Sequence, residues 1–236
     1  MKTNLHFFTR LATSLALWLG LTMTLTSCES ESSDAVDQDR IYTDYSLVYD
    51  KGEDKTYVRA AFKFGNATGT ALQLKDPSVV TVDGESMTFY PLLNYYEKQY
   101  AGQRNQATFT YKDGAGKTYV NTVSDLQPAE FPASFTTLSK TSAYTLTWDG
   151  PPLRTPEVLD VLLDGPGQSD PIQYFQTTAP GSTSLILEAN KISQVLSGTG
   201  QAVMNRTQIL PLQQGTSAGG TRSARYQSRT RSVQIQ

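Results

Sequence analysis

Beyond residue 28 the chain contains neither histidine nor cysteine: its single histidine is His6 and its single cysteine is Cys28. Their absence excludes a Ser/His/Asp or Cys/His nucleophile from the remainder, a zinc site built on imidazole or thiolate, and an internal disulfide. A dominant charge sign is missing too. Across 236 residues, 20 Lys plus Arg stand against 22 Asp plus Glu, a balance that argues against nucleic acid as a partner. No metal and no cofactor is expected. Long apolar stretches are scarce, and the one at Leu11 to Leu25 spans 15 uncharged residues, short of the roughly 20 a membrane-crossing helix needs.

That stretch follows Lys2 and Arg10, which form a positive n-region, and it ends in Leu25-Thr26-Ser27-Cys28. A basic start, a short apolar core and a small residue at the end are the parts of an export signal. The four final residues resemble the bacterial lipoprotein lipobox, with leucine three positions before the cysteine and a small residue directly before it. The resemblance implies a signal peptide over 1–27, cleavage before Cys28, a diacylglyceryl thioether on its sulfur and a further acyl chain, such as palmitate, on its new amino group. Two or more chains hold a protein stably at a membrane, whereas one does so only marginally.

Residues 29–39 read ESESSDAVDQD, with five acids and no base before Arg40. One-sign charge and low hydrophobicity predict a disordered tether over 28–40. With Glu29, Glu31 and Asp34, the run is similar to the surface-export signal of Bacteroidota lipoproteins, which implies an outer-membrane protein facing outward. Serines interrupt the acids, so a plain spacer with a periplasmic-facing protein stays open.

The rest reads almost wholly as strand. Thr56 to Phe64 alternates apolar and polar residues with the period of a half-buried strand, and Asp83-Gly84 suits a type I′ hairpin. A second hairpin is expected over Gln106 to Val123. With strands at Ile41 to Tyr49, Ala71 to Leu74 and near Asn94 to Tyr100, residues 41–126 give seven strands, the count of an immunoglobulin-like sandwich. The prolines of Asp125 to Pro132 place a boundary near 127. Residues 127–236 give seven more strands and one short helix over Lys191 to Ser197, capped by Asn190 and stopped by Gly198. The expected fold is therefore all-β, two tandem antiparallel immunoglobulin-like β-sandwiches. Without a cystine to pin the sheets, Trp148 packs in the second core.

Candidate contacts fall in two groups. Tyr95, Tyr96 and Tyr100 precede a turn and could offer rings to a sugar, although alternation puts only one of Tyr95 and Tyr96 outside. The C-terminal part has no acid after Glu188, and Arg222, Arg225, Arg229 and Arg231 gather there. They could form a basic patch for an anionic glycan, a lipid head group or the acidic tether, or protect an edge strand. Residues Gln213 to Ser223 read as a flexible loop and Tyr226 to Gln236 as a last strand. In that strand Arg229 and Arg231 share parity with Val233 and Ile235, which requires a bulge or a place at the sheet rim. Glu157 with Asp160, and Asp164 with Asp170, are the acid pairs a carboxylate-only glycosidase could use, and a calcium turn at Asp164 to Asp170 lacks the EF-hand pattern.

Over its whole length the chain resembles uncharacterised Bacteroidota lipoproteins with two immunoglobulin-like or fibronectin-like sandwiches behind a lipobox. The resemblance implies a non-enzymatic protein, held to the membrane through lipid on Cys28, that binds a glycan or surface protein or acts as a spacer. A fimbrial-type subunit assembling by strand addition and a carboxylate-only glycoside hydrolase remain open, as does the oligomeric state.

Overall fold

The computed structural model describes residues 31–236. Its first ten strands are β1 (Glu31–Ser32), β2 (Ile41–Asp50), β3 (Lys55–Phe64), β4 (Leu72–Gln73), β5 (Val79–Val82), β6 (Glu85–Ser86), β7 (Thr88–Tyr90), β8 (Tyr95–Ala101), β9 (Gln106–Lys112) and β10 (Thr118–Ser124). After the Pro-rich passage come β11 (Thr137–Leu138), β12 (Tyr144–Thr147), β13 (Glu157–Asp164), β14 (Gln173–Thr177) and β15 (Ser184–Leu187). A one-turn helix α1 (Ala189–Ile192) precedes β16 (Gly198–Pro211), β17 (Gly220–Gln227) and β18 (Arg231–Ile235). The fold is an all-β sandwich architecture with two cores.

Alternation builds the first core. In β2, Ile41, Thr43, Tyr45, Leu47 and Tyr49 are buried while the residues between them are partly exposed, and β3 repeats the pattern with Val58, Ala60 and Phe62. These strands face a four-stranded sheet ordered β10-β9-β5-β6. Tyr45 stacks on Phe109 at 4.5 Å across the gap. Asp83 and Gly84 both take positive φ, 50° and 81°, and join β5 to β6 as the two-residue loop expected of this pair. The hairpin of β9 and β10 is also where the sequence puts it, with Lys112 opposite Thr118.

The second core gathers Leu159, Val161 and Leu163 of β13, Val233 and Ile235 of β18, and Leu146, Leu185 and Leu187 from the small β12-β15 sheet. Trp148 is buried there, and its indole Nε1 donates to the Pro151 carbonyl at 3.2 Å. Two expectations change locally. The strand expected over Phe131 to Leu138 is regular only at Thr137–Leu138, because Phe135 N–H closes a turn on Pro132 instead of a ladder. The helix starts at Ala189 with Glu188 at its N-cap, not Asn190, and ends at Ile192, since Ser193 and Gln194 form a turn and the irregular backbone after it buries Val195.

The larger correction concerns the last third of the chain. Strand β16, 14 residues long, pairs along one side with β13 and along the other with both β18 and β17. Register passes from Ala202 opposite Arg231 to Asn205 opposite Gln227, so three residues, 228–230, face two. That one-residue excess is a β-bulge, and it splits the expected Tyr226 to Gln236 strand in two. Upstream of the bulge, β17 lies parallel to β2 and sends Ala224 and Tyr226 into the first core. A division at residue 127 thus separates the cores but not the strands, because one sheet runs β11-β18-β16-β17-β2-β3-β8-β7 through both.

The tether is corrected as well. Cys28, the lipobox Leu25, Thr26 and Ser27, and Glu29 lie outside the described residues, but from Glu31 onward the segment is ordered. Strand β1 pairs parallel with β4, and Ser33, fully buried, accepts a hydrogen bond from Lys75 N–H at 2.9 Å. The Gln38 side chain accepts from Gly114 N–H at 2.9 Å and donates to the Ser33 carbonyl at 2.7 Å. Asp39 accepts from Ser217 N–H at 3.2 Å. Composition describes only what the segment can do alone, whereas these bonds come from loops far along the chain.

Where the sheet crosses between cores, Arg206 is buried with Glu157, each side chain 1% exposed. Its guanidinium also donates to the carbonyls of Pro151 at 2.7 Å and Pro152 at 2.8 Å and reaches that of Pro128 at 3.4 Å. Glu157 is held further by Arg154, through its N–H at 2.7 Å and its guanidinium. Burial pushes the Glu157 carboxyl up, but the hydrogen bonds from Arg154 and Arg206 outweigh it and keep the group below its ordinary 4.5. A lowered carboxyl stabilises the fold above its unfolded pKa, and that contribution is lost as pH falls through the folded value. Glu157→Gln strands a buried cation and should cost about 3–5 kcal/mol at pH 7, measured by denaturant unfolding. The gap to the parent should narrow as pH drops below about 4; a gap constant from pH 7 to 3 would contradict the assignment.

Candidate functional site at the seam between the cores

The four C-terminal arginines take three different places. Arg222 donates through Nε to the Pro211 carbonyl at 3.0 Å and through a terminal nitrogen to that of Thr122 at 2.7 Å, reaching across to β10. Arg225 lies on the outer face of the shared sheet, its Nε on Thr207 Oγ1 at 3.2 Å. Arg229, in the bulge, and Arg231, directly after it, line one cavity of about 490 Å³ with Glu130, Phe131, Thr230 and Ser232. Arg231 shares the inward parity of Val233 and Ile235 but sits at the start of β18, at the rim of the second core, while Arg229 belongs to the bulge itself.

Both cavity arginines are aimed by backbone. Arg229 Nε donates to the Lys51 carbonyl at 3.3 Å, from the first unit, and Arg231 donates to the Phe131 carbonyl at 3.3 Å, from the second. Neither has a carboxylate partner among the described residues, in contrast to Arg59, Arg104, Arg154 and Arg206. Glu130 accepts from the Tyr226 hydroxyl and lies 3.9 Å from Lys51 Nζ. Burial and the Glu130 carboxylate push the Tyr226 phenol well above its ordinary value, so it remains a donor. The cavity is therefore polar, and its two guanidinium charges are not neutralised by Glu130, whose charge Lys51 offsets.

The tyrosines do not form one platform. Tyr96 turns inward, packs on Phe62 and Phe89, and accepts from Leu74 N–H at 2.8 Å. Tyr95 points to the opposite face, with Arg59 5.1 Å from its ring. Tyr100, at the strand end, lies under Arg104 at 3.5 Å. Alternation had separated Tyr95 from Tyr96, and cation–π contacts occupy the two rings that remain.

Of the acid pairs, Glu157 and Asp160 separate likewise, and Asp170 is spent on a turn. Glu157 faces inward and Asp160 outward on β13, three residues apart and so on opposite faces of a strand. Asp160 accepts from the Asn205 amide at 2.8 Å, and burial raises its carboxyl while that bond lowers it less. Asp170 accepts the N–H groups of Gly167 and Leu196 at 3.1 and 3.0 Å, fastening a turn. No cluster of three potential metal-ligating His, Cys, Asp or Glu occurs among the described residues. Of the acids in the export-like run, Glu31 is exposed in β1, opposite Leu72, and exposed Asp34 accepts from the Ser32 hydroxyl.

A group absent from the sequence reading closes the edge of β10. Asn121, fully buried, accepts from the N–H groups of Gln213 and Gln214 at 2.8 and 3.2 Å and donates to the Gln214 carbonyl at 2.8 Å. The side-chain oxygens of Gln214 and Gln213 in turn accept from Val120 and Thr122 N–H at 2.8 and 2.6 Å. The loop expected to be flexible is thus pinned, and outward ladder groups of an edge strand are satisfied by side chains. Its signal is in the sequence: Asn121 occupies the buried parity of Tyr119 and Val123, where a polar residue needs dedicated partners.

No family model matches the chain, and no curated protein matches it. Several solved structures overlap it, and two illustrate how weakly. One, from work on host cell surface retention of a 1.5-MDa bacterial ice-binding adhesin, is 12% identical, covers 82% of this chain and 65% of its own, and has a TM-score of 0.23. The other, the two tandem V-type regions of a v-region-containing chitin binding protein, is 8% identical, covers 80% and 99%, and has a TM-score of 0.21. Overlaps this low say nothing about ligand or partner.

Replacing Asn121 by Ala leaves the N–H groups of Gln213 and Gln214 without their acceptor. We expect a loss of about 1–3 kcal/mol in stability, read by thermal unfolding, together with concentration-dependent self-association on gel filtration as the β10 edge opens. An unchanged melting temperature and a strictly unchanged elution profile would show that the loop does not guard the edge.

Proposed function

We propose that this chain is a lipid-anchored, extracytoplasmic β-sandwich protein that recognises a ligand at the seam of its two cores and performs no catalysis. The observation that carries the recognition reading is the seam cavity, where Arg229 of the bulge and Arg231 beside it meet with no carboxylate partner among the described residues. The non-catalytic reading is supported by the lack of histidine and cysteine after residue 28 and by the separation of Glu157 from Asp160 across the sheet. Strand addition is disfavoured at β10, whose outward N–H groups are already engaged.

Anchoring rests on the lipobox-like Leu25-Thr26-Ser27-Cys28, and the ordered segment from Glu31 gives it a geometric consequence. Three residue steps separate Cys28 from Glu31, at most roughly 11 Å of chain, so the first unit would ride close to the bilayer. The segment docks at the Ile41 end of β2, while Lys51, beyond the far end, touches Arg229. Ten residues of strand between them put the cavity roughly 30 Å from the anchored pole.

The test is metabolic labelling with an alkyne fatty acid followed by protease shaving of intact cells. The parent protein should carry label and be cut from outside; Cys28→Ala should carry none and leave the membrane fraction. Label without cleavage, while a known surface protein is cut, would place the chain on the periplasmic face. Absence of label on the parent would remove the anchor from the proposal.

A further inference from the structure

We propose that the seam cavity binds an acidic saccharide, a polyhydroxylated ligand carrying a carboxylate or sulfate, with Arg229 and Arg231 as the oxyanion ligands. The proposal rests on the recognition reading above and names the ligand class for that site. Each guanidinium carries five N–H donors, and one donor on each is spent on a backbone carbonyl, Lys51 for Arg229 and Phe131 for Arg231. The carbonyls fix the side chains and leave further donors for a planar or tetrahedral oxyanion, which an arginine fork matches bidentately.

Charge points the same way. Two arginines and Lys51 face one carboxylate, Glu130, at the cavity and its wall. Two positive charges that no described carboxylate matches, in a concave and solvent-open place, favour an anion. Elsewhere in the described residues, Arg59 is matched by Glu97 and Arg206 by Glu157, and half-buried Arg222 spends its guanidinium on the carbonyls of Pro211 and Thr122. The cavity differs in bringing two such arginines to one place.

The remaining lining selects the body of the ligand. Thr230 and Ser232 bring hydroxyls, and Glu130 brings an acceptor that the Tyr226 hydroxyl and Lys51 hold in place. Such a wall offers donors and acceptors together, which suits sugar hydroxyls better than an apolar ligand. About 490 Å³ lies within the range of small-ligand pockets. A lipid head group fits the site less well, since the cavity stands away from the pole where the anchor leaves the fold.

The experiment is a calorimetric titration of the full-length protein held in nanodiscs of neutral lipid. Probes are a galacturonate tetrasaccharide, a sulfated chondroitin tetrasaccharide, a neutral glucose tetrasaccharide, an acidic peptide, inorganic phosphate, and vesicles with and without anionic lipid. We expect binding of at least one acidic saccharide, weakening steeply with added salt, and at least tenfold weaker binding by the neutral one. Arg229→Gln and Arg231→Gln should each weaken it about tenfold or more, while Arg225→Gln, equally basic but on the outer face, should leave it unchanged. Ser232→Tyr, which fills the cavity and keeps both charges, should also abolish it, and each variant's melting curve shows whether it is folded.

Equal binding of the neutral tetrasaccharide, or of the peptide or vesicles alone, lost in Ser232→Tyr, would overturn the ligand class and keep the recognition site. Acidic-saccharide binding that survives both arginine variants and Ser232→Tyr would overturn the site. Silence toward every probe would overturn this proposal, with the fatty-acid labelling result deciding the anchor separately.

Discussion

The structure depends on a charge buried where two hydrophobic cores meet. Arg206 lies on the inner side of β16, between Met204 of the second core and the Tyr226 neighbourhood of the first. Burying a guanidinium is costly, and the cost is offset only if its donors are satisfied. Glu157 supplies the counter-charge, and carbonyls of Pro128, Pro151 and Pro152 take further donors. Those prolines belong to the passage between the units and to the loop after Trp148, so one side chain holds the linker, a loop and two strands in register. Its Nε alone has no partner among the described residues.

The seam imposes a second constraint, since β16 must serve two cores with one continuous backbone. Its partner strand changes phase at the bulge of 228–230, where Ser228 is buried and exchanges hydrogen bonds with Met204. A bulge bends a strand and re-aims its side chains. Here it carries Arg229 out of the ladder and sets Arg231 at the rim of the second core, which is how a cavity with two cations that no described carboxylate pairs arises beside a well-packed sheet. Fold and candidate site therefore share one cause.

How far the sequence foretold this varies with the range of the interactions. Alternation in β2 and β3 and the Asp83-Gly84 turn are local, and residues within a few positions of one another suffice to read them. The return of β17 to lie parallel to β2 is not local; Thr221 meets Asp44 and Gln227 meets Asp50, and nothing near either segment announces the pairing. The phase conflict of Arg229 and Arg231 with Val233 and Ile235 did point to a bulge or a rim, and both occur. The acidic run misled because Ser33, Gln38 and Asp39 find partners in Lys75, Gly114 and Ser217, contacts that composition cannot register. Tyr95, Tyr96 and Tyr100 looked like a group only because they are near one another in sequence.

If one sheet and one buried ion pair join the two cores, the protein unfolds as one body. Hydrogen exchange with mass spectrometry at rising denaturant on the full-length protein measures this directly, since amides released by a shared opening gain exchange at a shared midpoint. Amides of β2, of β13 and of the Met204 to Thr207 stretch of β16 should become exchangeable together. Exchange of β13 and β18 at lower denaturant, with β2 and β3 still protected, would show two independent sandwiches and contradict the account.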